Sequence, residues 1–216
     1  MTTDPATNPA SGSPAPVPLW NIANVLTMVR ILMVPVFIVL FLQGTTGAQV
    51  AATLVFAAAA ATDKLDGTLA RRHGLVTNFG KLADPIADKA LVISALVLLS
   101  MDGLLWWWVT IVIIVRELGI TLLRFVMMRR AVMAASKGGK TKTVLQIAFI
   151  LMLLVPWDGF LTGALVDVIL LVALVVVLLA LAVTVLTGVD YVVKAVQIAS
   201  SGRRADADDR QSFEGG

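Results

Sequence analysis

Residues 165–195 read LVDVILLVALVVVLLALAVTVLTGVDYVVKA, broken by charge only at Asp167, Asp190 and Lys194. A run this long and this apolar has few places to go. About 20 mainly apolar helical residues cross the hydrocarbon core of a bilayer, and within lipid a helix satisfies its own backbone hydrogen bonds. Five more apolar stretches precede it, at roughly 22–42, 48–70, 85–101, 104–128 and 144–157, the fifth starting near Lys140 with a polar first turn. The hydrophobic fraction is 58% and the charged fraction 14%, against about a quarter charged in soluble domains. The expected fold is an all-α integral membrane protein with six transmembrane helices. The last stretch is long enough to tilt or protrude.

The ends differ from the middle. Residues 1–19 are rich in Pro, Ser, Thr and Ala, with neither the basic nor the apolar region of a signal peptide, and read as a disordered tail. Residues 201–216 read the same way, leaving 20–200 as one six-helix membrane domain without repeats. The chain has no cysteine, which excludes disulfides, thiolate nucleophiles and Cys-ligated metals.

Basic residues set an orientation. Arg71, Arg72 and Lys81 lie between the second and third stretches, with Lys89 just beyond; Arg129, Arg130, Lys137, Lys140 and Lys142 lie between the fourth and fifth; Lys194, Arg203, Arg204 and Arg210 lie near the end. The connections QGTTGAQ, MDG and WDGFLTG carry none. By the positive-inside rule both termini are cytoplasmic. Trp106, Trp107, Trp108 and Trp157 then fall at the outer ends of the fourth and fifth spans, where aromatic belts anchor helices to the interface.

Against this frame the segment DKLDGTLARRHGLVTNFGKLADPIADK is costly. It places Asp63, Asp66, Asp84 and Asp88 beside apolar runs, all at the cytoplasmic ends of their spans. Asp63 and Asp66 are three residues apart and Asp84 and Asp88 four apart, so each pair shares a helix face. Pro85 suits a first helical turn with Asp84 as N-cap. Four facing carboxylates repel one another and take up protons unless something cationic compensates. Hard oxygen donors without cysteine favour Mg²⁺ or Mn²⁺ over zinc; juxtamembrane ion pairs with Lys64, Arg71, Arg72, Lys81 and Lys89 are the simpler alternative. Gly67 and Ala70 leave the helix bare beside the carboxylates, either for a ligand or for helix packing, and Arg71 can hold a phosphate by a two-pronged hydrogen bond.

These residues match the signature of the CDP-alcohol phosphotransferase family, D-x-x-D-G-x-x-A-R, eight residues, then G-x-x-x-D-x-x-x-D, at Asp63, Asp66, Gly67, Ala70, Arg71, Gly80, Asp84 and Asp88. NIANVLTMVRILMVPVF resembles the first helix of the phosphatidylglycerophosphate synthases, with Ala23 where proline is usual. RELGITLLR and AASKGGKTKTVLQ are similar to further blocks of that subfamily. The resemblance covers residues 21–146, and the last spans match in character only.

The resemblance implies a six-helix membrane enzyme, a homodimer in a bacterial plasma membrane, with two divalent ions (Mg²⁺ or Mn²⁺) in an inward-facing cavity. It moves a phosphatidyl group from CDP-diacylglycerol to an alcohol and releases CMP. Carried over by position, Asp63, Asp66, Asp84 and Asp88 are metal ligands and Asp88 also the general base. Gly67, Ala70, Arg71, Thr77 and Gly80 contact the CDP moiety, joined by Asn24, Thr27 and Arg30 if these line the cavity as a polar stripe. The other reading of Arg30 is snorkelling towards the interface.

The subfamily blocks favour glycerol 3-phosphate as acceptor over inositol phosphate or phosphatidylglycerol. Arg116, Arg124, Lys137, Lys140 and Lys142 are the expected acceptor-phosphate cations. Arginines at that depth are costly without an anion or Glu117 as partner. Nucleic acid is not an expected partner.

Two other classes compete. Intramembrane carboxylates also mark ion pathways, but transporter sites lie near mid-depth and these acids gather at one face. AASKGGKT superficially suggests a phosphate-binding loop, but Ala134 stands where its first glycine is required and no strand precedes it. His73, beside two arginines, reads as a solvated loop residue.

Overall fold

A computed structural model describes the backbone at 22–73, 78–127 and 137–214, and side chains within it except at 22–24, 63–73, 78–85, 88, 124–127, 137–140, 194–196 and 198–214. The described chain is all helix. In order come α1 (Ile22–Leu42), α2 (Thr46–His73), α3 (Asn78–Met101), α4 (Trp107–Met127), α5 (Lys137–Leu154), a single 3₁₀ turn (Trp157–Gly159) and α6 (Gly163–Glu214).

Three boundaries differ from expectation, each for a physical reason. α3 starts at Asn78, so Asp84 is not its N-cap. Pro85 sits inside the helix, where it withholds the donor that the Lys81 carbonyl would otherwise take. α5 starts at Lys137, because Gly138 and Gly139 weaken a helix by only about 1 kcal/mol each. α6 runs on to Glu214, through the segment expected to be an unstructured tail. That segment has no proline, and Asp206 and Arg210 stand at the helix-favouring four-residue spacing.

Tight turns join the helices. Gly103 takes a positive φ of 76°, and the amides of Leu104 and Gly103 bond the carbonyls of Leu99 and Ser100 at 3.0 and 3.2 Å. This pair of bonds is a Schellman ending, and it stops α3 just before the tryptophans. Gly44, with φ 66°, closes α1 in the left-handed region as well.

α3 lies at the middle of the bundle, touching α1, α2, α4 and α5; α1 packs on α2 and α3, while α6 packs on α4 and α5. The core takes residues from all six helices. Phe37 and Phe41 of α1 meet Phe56 of α2, with the Phe37 ring 5.7 Å from Phe56 and 6.2 Å from Phe41. Leu96 and Leu99 of α3, Val109 and Ile113 of α4, and Phe149 and Ile150 of α5 complete it. On α6 small buried residues, Ala173, Val177, Ala180 and Thr184, are spaced along one face, with Val166 before them and Tyr191 after them also buried.

The outward faces are apolar as well. Leu32, Leu54 and Leu186 are 67%, 65% and 70% exposed. Small residues on the packed face of α6 allow close approach of backbones, and leucines and valines on the outside suit a lipid surrounding. Among the described residues, Val25–Leu42 and Gly163–Val193 are long and apolar enough to cross a membrane, and shorter apolar helices lie at Thr46–Thr62, Lys89–Met101 and Thr141–Leu154. α4 carries Arg116, Glu117 and Arg124 along its length. Trp106, Trp107 and Trp108 are exposed, and the first and third stack at 6.2 Å.

Candidate active site

The signature divides between two packed helices. α2 carries Asp63, Asp66, Gly67, Ala70 and Arg71, and α3 carries Gly80, Asp84 and Asp88. Their side chains lie outside the described residues, as do Thr77 and the side chains of Asn24, Arg124, Lys137 and Lys140. Among the described residues, no three His, Cys, Asp or Glu side chains gather.

Helix register nevertheless shows where the signature faces lead. A small pocket is lined by Arg30 of α1, Phe56, Ala59 and Ala60 of α2, Leu91 and Val92 of α3, and Ile147 of α5. Asp63 follows Ala60 and Ala59 by three and four residues, and Asp88 precedes Leu91 and Val92 by three and four. The positions on either side of the pocket are therefore on the same helix faces as the signature's first and last carboxylates. Arg30 and Thr27 are each 1% exposed. A snorkelling arginine would keep its head at the interface, whereas Arg30 is buried inside the bundle.

A second polar cluster begins one residue after Asp88. The Lys89 ammonium donates to Glu117 Oε2 at 2.9 Å. Arg116 Nη1 donates to Glu117 Oε1 at 3.1 Å, and Lys142 Nζ donates to the same oxygen. Arg116 Nη2 also donates to Thr187 Oγ1 at 2.7 Å, whose own hydroxyl bonds the Val183 carbonyl at 2.6 Å. Gly188 lies against the Arg116 side chain, where a Cβ would stand 3.4 Å from Cγ, an ordinary contact. Four helices thus contribute to one buried knot. The Lys142 and Glu117 side chains are 6% and 10% exposed.

Among the described side chains, Arg116 and Lys142 share one carboxylate between them, and buried cations that outnumber their counter-charges can take up an anion with several oxygens. One turn beyond Lys142, Gln146 is buried and its amide nitrogen has no acceptor among the described residues.

Of the residues expected to bind substrate, Arg30 lines the pocket with Thr27 buried three residues before it on α1, and Arg116 and Lys142 come together on Glu117. Lys89, Thr187 and Gln146 are additions. Glu117 had been visible only as a possible partner of the arginines. Thr187 lies within a long apolar run, where a threonine reads as filler.

With residues 20–186 matching the model of the CDP-alcohol phosphatidyltransferase family, the chain belongs to that family of enzymes. Among its relatives is a protein of Mycobacterium tuberculosis named "Probable phosphatidylglycerophosphate synthase", 47% identical over 180 residues that make up 82% of each chain. "CDP-diacylglycerol--glycerol-3-phosphate 3-phosphatidyltransferase" is the name of two more. The one from Bacillus subtilis (strain 168) is 39% identical over 60% of this chain and 74% of its own. The one from Escherichia coli (strain K12) is 40% identical over 62% and 77%.

Proposed function

We propose that this protein transfers the phosphatidyl group of CDP-diacylglycerol to glycerol 3-phosphate, giving phosphatidylglycerophosphate and CMP. The observation that carries the proposal is the complete signature on two packed helices, with a buried, cation-rich cluster beginning one residue past its last aspartate. Relatives named for this reaction at 39–47% identity support the choice of acceptor.

Two carboxylates on each of two packed helices form a hard-oxygen donor set that suits Mg²⁺ or Mn²⁺. Asp63, Asp66, Asp84 and Asp88 would hold two such ions, which neutralise phosphate oxygens and steady the leaving group when bound. Gly67, Ala70, Arg71, Thr77 and Gly80 bind the cytidine diphosphate part, with Asn24, Thr27 and Arg30 completing that side. Arg116, Lys142, Arg124, Lys137 and Lys140 receive the acceptor phosphate.

Asp88 takes the proton from the acceptor hydroxyl as its oxygen forms a bond to the phosphorus that carries diacylglycerol. The bond from that phosphorus to the bridging oxygen breaks, and CMP leaves with the electron pair. All six helices span the membrane with both termini and the active site cytoplasmic, in a homodimer. The donor's tails remain in lipid while the soluble acceptor arrives from the cytoplasm.

The test is an acceptor screen with purified protein, CDP-diacylglycerol and Mg²⁺ or Mn²⁺, following CMP release and the lipid formed. Glycerol 3-phosphate is expected to give the highest kcat/KM, with unphosphorylated glycerol reacting poorly. A better rate with inositol phosphate or phosphatidylglycerol overturns the acceptor. Absence of CMP release with every alcohol overturns the reaction.

A further inference from the structure

The buried knot on α4 has a feature that phosphate binding alone does not require. If Arg116 and Lys142 served only to attract an anion, a carboxylate bonded to both would weaken them. Glu117 instead holds Lys142 and Arg116 on one oxygen and Lys89 on the other. Arg116 is fixed from a second side by the Thr187 hydroxyl of α6. Two like charges placed together in a low-dielectric interior repel and swing apart unless something between them holds both.

We propose that Glu117 and Thr187 are positioning residues that fix Arg116 and Lys142 in the geometry that reads the acceptor's phosphate. The inference rests on the assignment of those two cations to the acceptor. Neither Glu117 nor Thr187 touches the reacting atoms. Their contribution is that a phosphate dianion meets cations already in place, and that an alcohol lacking the phosphate gains nothing from them.

Two mechanisms predict opposite signs for Glu117→Gln. Were Glu117 a passive counter-charge, its neutralisation would raise the positive potential and lower the acceptor KM. As a positioning residue, its loss lets the cations separate and raises that KM. The experiment measures kcat and both KM values for the purified full chain in lipid nanodiscs, for Glu117→Gln, Glu117→Asp, Thr187→Val, Thr187→Ser and Lys142→Met.

The expected result is a glycerol 3-phosphate KM raised about tenfold or more by Glu117→Gln and severalfold by Thr187→Val, the loss of the carboxylate charge from three hydrogen bonds being the larger and of one neutral acceptor the smaller. The CDP-diacylglycerol KM should move less than twofold, and Glu117→Asp and Thr187→Ser should recover most of the loss. The kcat/KM preference for glycerol 3-phosphate over glycerol should narrow in parallel. A merely structural role would move both KM values and kcat together.

If Lys142→Met raises the acceptor KM while Glu117→Gln and Thr187→Val leave it unchanged or lower it, the positioning role is wrong and the acceptor site stands. If Lys142→Met leaves the acceptor KM unchanged, the site assignment fails and this inference with it. Should Glu117→Gln fail to fold, Thr187→Val decides alone, and an unchanged acceptor KM overturns the proposal.

Discussion

Two unit charges about 5 Å apart repel by about 3 kcal/mol at an effective dielectric of about 20, so the cations around Glu117 could not stay in place without it. The same reasoning applies more strongly to the signature aspartates. Four carboxylates on two adjoining helix faces are tolerable only when cations compensate them, and α2 and α3 are in contact. Each single change of Asp63, Asp66, Asp84 or Asp88 to Asn is therefore expected to lower turnover by at least about 10²-fold, the low end for a positioned acid–base or charge-stabilising group. Chelation with EDTA should abolish activity and Mg²⁺ or Mn²⁺ should restore it. Full CMP release by folded Asp84→Asn protein, or by wild type in EDTA, would reject the paired-ion assignment.

Between helices, cohesion comes from small contact residues and a few hydrogen bonds. The Thr53 hydroxyl on α2 bonds the Gln49 carbonyl at 2.8 Å and reaches across to the Leu154 carbonyl at the end of α5 at 3.0 Å. Ser100 and Thr110 join α3 to α4 at 2.7 Å. Such bonds contribute about 0.6 kcal/mol on average within membranes and up to about 1.7. Thr53→Val, which keeps the shape and removes the hydroxyl, should cost about that much in an SDS-titration unfolding equilibrium and leave kcat unchanged. A loss above about 3 kcal/mol would mean that the contact is more than a hydrogen bond. Elements of this kind were partly legible in the sequence. Both ends of α1 coincide with the edges of its apolar run, because hydrophobicity alone delimits it. The start of α3 was hidden by Pro85 and the start of α5 by paired glycines, where local propensity argues for a turn and the bundle overrides it. The polar knot joins residues 25, 28 and 71 positions apart. No local pattern reports separations like these, although charge within α4 announced that a partner was needed.

For the molecule as a whole, the distribution of charge and of apolar surface has to be satisfied by one orientation. Outward leucines and valines cover the helices, the exposed tryptophans stand at the α3–α4 end, and the signature lies at the opposite ends of α2 and α3. The Gln43–Thr45 turn and the MDG turn bear no basic residue, whereas the end of α2 with the start of α3, the α4–α5 connection with the start of α5, and the C-terminal part of α6 hold most of the Lys and Arg. A two-sided partition of this kind is what fixes topology during insertion, and in the proposed orientation it puts the cation-rich ends where a soluble phosphorylated acceptor can reach them. α1 and α6 are long and apolar enough to cross a membrane, whereas in the proposed topology the shorter or more polar helices between them cross only with Arg116, Glu117 and Lys142 kept inside the bundle. Single cysteines introduced at Gln43 and at Ser136 provide the test, because the chain has none of its own. An impermeant maleimide applied to intact cells should label position 43 and spare position 136 until the membrane is opened. The reverse pattern would invert the orientation, and labelling of both in intact cells would mean that an even number of helices crosses between them, with α2, α3 or α4 lying along the membrane surface instead of through it.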